Sequence, residues 1–202
     1  MTKLYLIRHG QSEWNILSKV QGQKDANLTN IGREQARKLG KRLIDENIDI
    51  IFSSDLSRAL ETAEIISSMI NKPVVESKEI QEINFGPWEG LTLAEIQKKY
   101  KEEYLIWMKK PDKFKLEGAE TLDNLKNRVM KYVEKVLIEN KDKNIAIVSH
   151  NATLKIFILN LLGMGNAFYK NISLNNVSLS IIECRQYNNV LTLLNDTSHL
   201  KE

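Results

Sequence analysis

Two short apolar runs in this chain each stop abruptly at a histidine. Leu4-Tyr5-Leu6-Ile7 runs into Arg8-His9-Gly10, and Ile145-Ala146-Ile147-Val148 into Ser149-His150-Asn151. Both runs are short and rich in strand formers, so each reads as a buried strand, with Gly10 as the turn leaving the first. In an open α/β sheet the carboxyl ends of the strands line the crevice where ligands bind. A third apolar run, Ile48 to Phe52, ends in Ser53-Ser54-Asp55, and Arg58 follows within the first turn of the next helix. Parallel strand exits share one edge, so Arg8, His9, Arg58 and His150 are able to converge there. Four such groups repel one another as cations unless an anion sits among them. Arginine forks, together with backbone N–H groups at the helix start after His150, suit a phosphoryl group.

The remaining elements follow from periodicity. Thr29 reads as the N-cap of a helix whose apolar stripe is Ile31, Ala36, Leu39 and Leu43. Ser53-Ser54-Asp55 reads as the cap of the next helix, with Leu56, Ala59, Ala63, Ile66 and Ile70 on its buried side. Val74-Val75 suggests a third strand, and Leu93 to Tyr104 one helix ended by Pro111. A helix carries Leu122, Leu125, Val129 and Val133 on one face; another spans Leu154 to Leu162; and Val177 to Cys184 and Val190 to Leu194 form a closing hairpin. Strands alternating with helices predict a three-layer α/β/α domain with a mainly parallel sheet and an antiparallel addition near the C-terminus. The 202 residues fit a single domain, with an insertion over the site at about 87–120. Trp88, Tyr100, Tyr104, Trp107, Met108 and Phe114 in that insertion read chiefly as its own small core.

Composition excludes more than it identifies. A formal net charge of +3, with lysines spread through helical segments, does not point to nucleic acid. No signal-peptide core is present, and Ile156 to Leu162 is too short to span a bilayer, so the expectation is a cytoplasmic protein with no membrane partner. The lone cysteine, Cys184, rules out an internal disulfide and reads as a buried structural thiol, and His199 reads as exposed and idle. A metal site on His9, His150 and Glu82 lacks the usual ligand spacing and would face repulsion from the arginines, so no metal or other cofactor is expected. Composition leaves monomer and homodimer open.

The segment Leu6-Ile7-Arg8-His9-Gly10-Gln11-Ser12-Glu13-Trp14-Asn15 resembles the signature of the histidine phosphatase superfamily, the phosphoglycerate-mutase-like enzymes. Gln21-Gly22, Asp25 and Leu28-Thr29, then Ser53 through Ala63, Glu82 through Gly90, and Val148-Ser149-His150 are similar to its later motifs, in order along nearly the whole chain. The resemblance implies the phosphoglycerate-mutase-like fold. It also implies that His9 is the nucleophile of a phosphohistidine mechanism, neutral and oriented through a backbone carbonyl. Arg8, Arg58 and His150 would hold the phosphoryl oxygens, with Asn15, Gln21, Gly22 and Asn151 also in the phosphate or substrate site. Glu82 would protonate the leaving oxygen and then activate water. Asn151 departs from the glycine common after the second histidine. Lys109-Lys110 to Lys115 carries lysines but no arginine pair, unlike typical mutases. The motif around Phe85 to Gly90 is closer to the short phosphatase branch, which includes broad-specificity and α-ribazole-phosphate phosphatases. A phosphomonoesterase acting on a small molecule is therefore expected. The alternatives are a mutase-type phosphoryl transferase and a non-catalytic phosphate-ligand or protein-binding module.

Overall fold

The computed structural model describes residues 1–201. Six strands, β1 (Thr2–Arg8), β2 (Ile50–Ser54), β3 (Val74–Ser77), β4 (Asn144–Ser149), β5 (Leu179–Cys184) and β6 (Asn189–Asp196), form one sheet in the order β3-β2-β4-β1-β5-β6. The pairs β1·β4, β2·β4 and β2·β3 are parallel, and β5 and β6 add antiparallel strands at the β1 edge. The α-helices are α1 (Glu13–Ile16), α2 (Asn30–Leu43), α3 (Ser57–Ile70), α4 (Leu93–Lys99), α5 (Lys101–Lys109), α6 (Leu122–Glu139) and α7 (Asn151–Leu161).

Strand alternation divides the core in two. Leu4 and Leu6 of β1, with Ile145 and Ile147 of β4, face α6 and α7, and their neighbours Tyr5, Ile7, Ala146 and Val148 face α2 and α3. Each central strand is therefore apolar on both faces, which is why both read as unbroken apolar runs. The fold is the expected three-layer α/β/α. Register then places the chemistry: Arg8 pairs with Ser149, and the His9 N–H donates to the Ser149 carbonyl at 2.9 Å. The two histidine exits thus lie side by side, with the end of β2 next to β4.

Several local readings are corrected. Ile31 is exposed, and Gly32 and Gly40 take the buried side of α2 beside Ala36, Leu39 and Leu43. Thr29 does cap α2, accepting from the Gly32 N–H at 3.0 Å. The cap of α3 comes from 32 residues away: Asp25 accepts from the Ser57 N–H and Oγ, whereas Asp55 accepts from Gln81. The single helix expected over Leu93 to Tyr104 is two, broken at Tyr100. Strand β5 begins at Leu179 and not Val177, because Val177 adopts φ 48°. His199 is buried in the C-terminal turn beside Arg42, which pairs with Asp196. The free thiol of Cys184 is partly buried against the core.

Candidate active site

His9 and His150 leave their strands with ring centroids 5.2 Å apart. His9 is almost wholly buried, and its Nδ1 lies 2.7 Å from the Gly10 carbonyl oxygen. A carbonyl only accepts, so Nδ1 carries the proton and Nε2 keeps its lone pair. Burial first, then the charges of Arg58 and Arg8, hold the imidazole well below its ordinary value near 6.5, so it is neutral. Gly10 has ordinary negative φ. Its need for glycine is steric, since a Cβ there would meet the Gly32 carbonyl oxygen at 2.6 Å where the loop crosses the start of α2. The Gly10 N–H donates to Thr62 Oγ1, which in turn donates to the Arg58 carbonyl.

Arg58 has no solvent exposure. Its Nη1 and Nη2 donate to the carbonyls of Lys24 and Gly22 at 2.9 and 2.7 Å, and Asp25 lies 3.6 Å away. Gly22 has φ +56°, and a side chain there would collide with the Glu89 carboxylate, so this residue serves the loop that grips Arg58. Arg8 donates from Nη1 to the Leu174 carbonyl at 2.7 Å. Ser54 Oγ lies 2.8 Å from Nε2 of the fully buried His150. Burial, Arg58, His9 and Arg8 hold this second imidazole neutral as well. Among the described residues, three buried nitrogens of this site have no protein partner: Arg8 Nε, Arg58 Nε and His150 Nδ1. Native structures rarely leave such groups unpaired, and an orphaned buried donor costs about 1–3 kcal/mol. Such nitrogens beside a neutral histidine have the chemistry to face an anion.

Glu82 lies in irregular chain after β3, yet its place is closely determined. Its carboxylate accepts from the N–H groups of Ala152 (3.1 Å), Thr153 (3.2 Å) and Ile83 (3.0 Å). The Ala152 and Thr153 amides of α7, expected to face phosphate, are thus drawn to Glu82, and the Asn151 N–H is the first-turn amide left over. Gln23 and Arg128 hold the Glu82 carbonyl. Asn15 completes the capping box at the start of α1: its Oδ1 accepts from the Ser12 N–H and from Asn176 Nδ2. Gln21 Oε1 accepts from Ser12 Oγ.

Beyond Glu82 opens a cavity of about 280 Å³, lined by Phe85, Trp107, Met108, Asn151, Lys155 and Tyr169 among others. That volume is at the small end for ligand pockets. A larger cavity of about 580 Å³, between α2 and the C-terminal turn, contains none of the strand-exit residues. No helix among the described residues is long and apolar enough to cross a membrane.

The histidine phosphatase superfamily (branch 1) model matches residues 4–197. The chain belongs to that superfamily. Over 202 residues it is 35% identical to phosphoserine phosphatase 1 of Hydrogenobacter thermophilus, covering all of this chain and 96% of that one. Its fold superposes on YhfR of Bacillus stearothermophilus with TM-score 0.94 at 29% identity, over 99% and 100% of the two chains. It superposes on a phosphoserine phosphatase of Entamoeba histolytica, a mutant solved with phosphoserine, with TM-score 0.88 at 36% identity, again over 99% and 100%. The protein is a histidine phosphatase, a phosphoric monoester hydrolase of small phosphorylated metabolites.

Reasoning from sequence missed what holds the histidine loop of this phosphatase. Asn176 Nδ2 reaches the carbonyls of His9 and Gly10 at 3.0 and 3.1 Å. Next to it, the Val177 N–H donates to the carbonyls of Arg8 and His9 while the residue sits in the left-handed region, which costs a β-branched side chain about 1–3 kcal/mol. No periodicity signals such a loop.

The two neutral imidazoles carry a pH consequence. The unfolded chain protonates both near pH 6.5, whereas the folded one does not until well below that. Stability therefore falls as pH drops from 6.5, each histidine adding about 1.4 kcal/mol per pH unit. Urea midpoints between pH 6.5 and 5 should show this slope, to which the buried His199, lowered in the same direction by desolvation, adds, and His9→Ala should lose the His9 share of it. A flat midpoint in the wild type would contradict two neutral, buried rings.

Proposed function

We propose that hydrolysis runs by two displacements at phosphorus on His9. In the first, Nε2 of His9 forms a bond to phosphorus while the ester P–O bond breaks, and the departing oxygen takes a proton from Glu82. In the second, Glu82 takes a proton from water, the water oxygen bonds to phosphorus, and the P–N bond breaks to return neutral His9 and phosphate. Arg8, Arg58 and His150 donate to the phosphoryl oxygens, whose charge spreads in the transition state. His150 does so from Nδ1 when Ser54 donates to Nε2. Asn15 and the Asn151 N–H add donors, and Gln21 and Gly22 act at one remove through Ser12 and Arg58.

The observation that carries this reading is the set of three orphaned nitrogens around a histidine whose free Nε2 is fixed by its tautomer. Residues 87–120 form the wall of the leaving-group side in this proposal. They are built on an aromatic cluster of Trp88, Trp107 and Phe114, with Trp107 reaching the cavity. The relatives named phosphoserine phosphatase make phosphoserine the first substrate to try. The test is phosphate release from phosphoserine, sugar phosphates and α-ribazole phosphate in EDTA, beside isomerisation of 3-phosphoglycerate. Hydrolysis faster than isomerisation, with an acid-labile phosphoprotein, is expected. Faster isomerisation, or hydrolysis without an acid-labile phosphoprotein, would overturn the two-displacement hydrolysis proposed on His9.

A further inference from the structure

One cation in the cavity wall is used by nothing in the mechanism above. Lys155 follows Asn151 by one turn of α7, so the two share the helix face that borders the cavity. The side chain is half-buried, and its Nζ lies 4.7 Å from the centre of the Tyr169 ring. It makes no ion pair or hydrogen bond among the described residues, although most lysines that leave solvent find a carboxylate. Glu82, the nearest candidate on the same cavity, is already bonded to backbone amides of α7. Burial and the charge of Arg8 lower the Lys155 ammonium from its ordinary value, and Glu82 partly opposes them. Contact with the Tyr169 face returns part of the lost hydration. Lys170, on the same rim, adds a second positive charge.

We propose that Lys155 binds a carboxylate on the alcohol half of the substrate, so that this enzyme acts on phosphorylated hydroxy or amino acids in preference to phosphorylated neutral alcohols. The inference rests on the phosphatase reading and on Glu82 facing the leaving oxygen. With that oxygen at Glu82, the substituent beyond it enters the cavity bordered by Phe85, Trp107, Met108 and Lys155. Phe85, Trp107 and Met108 give that cavity one apolar side, beside which a charge contact is less screened than in open water. At about 280 Å³ the cavity accommodates a small hydroxy-acid or amino-acid leaving group.

A matched pair of substrates isolates the carboxylate: 3-phosphoglycerate carries one where glycerol 3-phosphate carries a hydroxymethyl group. For the wild-type chain, kcat/KM for phosphate release should favour 3-phosphoglycerate by at least about tenfold. Lys155→Met should collapse that ratio by about tenfold or more, with the loss carried by KM, and Lys155→Arg should keep most of it. A wild type that treats both esters alike overturns the subsite, as does a Lys155→Met variant that slows both by one factor. The wild-type ratio decides alone should the methionine variant fail to fold. Absence of phosphate release from either ester, with no acid-labile phosphoprotein, is a different failure: it removes the phosphatase reading itself.

Discussion

His9→Ala is expected to lower kcat/KM by about 10⁴-fold or more and to abolish the acid-labile phosphoprotein, while the chain stays folded. The loss is large because no other group is placed to attack. His150 is the only other nearby imidazole, and Ser54 lies against its Nε2. The fold survives because the loop does not hang on the imidazole. Asn176 still bonds the His9 and Gly10 carbonyls, and the Gly10 N–H still donates to Thr62. Removing a neutral, desolvated ring also leaves no charge without a partner. Inorganic phosphate should still raise the melting temperature of this variant, since Arg8, Arg58 and His150 remain. Phosphate release near the wild-type rate would refute the assignment of His9 as nucleophile.

Arg58→Met should be nearly as damaging to turnover, about 10³-fold in kcat/KM, and in addition should weaken the fold. Methionine fills much of the same volume, so the defect is polar. The carbonyls of Gly22 and Lys24 both lose their donor, at about 1–3 kcal/mol for each one left buried and unpaired. Part of that is offset, because a fully buried guanidinium no longer has to be desolvated. A fall of about 2 kcal/mol in unfolding free energy, measured in urea, is the expected net. Stabilisation by added phosphate should shrink far more in this variant than in His9→Ala. Equal phosphate protection in the two would show that Arg58 braces the loop without holding the phosphoryl group.

The legible parts of the site were those that ride on apolar strands. Leu4 to Ile7 and Ile145 to Val148 announce buried strands whose exits share one edge, so Arg8, His9 and His150 read as able to converge, and the pairing of β1 with β4 then brings them side by side. Arg58 followed because a helix begins just after β2. Glu82 was less visible. It lies outside regular structure, and only resemblance to a family singled it out, while the tertiary fold pins it through the amides of α7. The α3 cap shows the same limit in reverse. Ser53-Ser54-Asp55 had the right composition, but Asp25 arrived from another loop and took the position.

By itself, the sequence determined the layering of the sheet and the edge on which the chemistry collects, because hydrophobic alternation and strand ends are local properties. Only the tertiary structure decided how that edge is wired. Asn176 holds the histidine loop from 167 residues away, Val177 takes a backbone conformation its side chain disfavours, and Lys155 stands in the cavity wall without an ion pair among the described residues. Each depends on which distant groups are already satisfied, and hydrogen bonds and desolvation are settled only when the whole chain is packed.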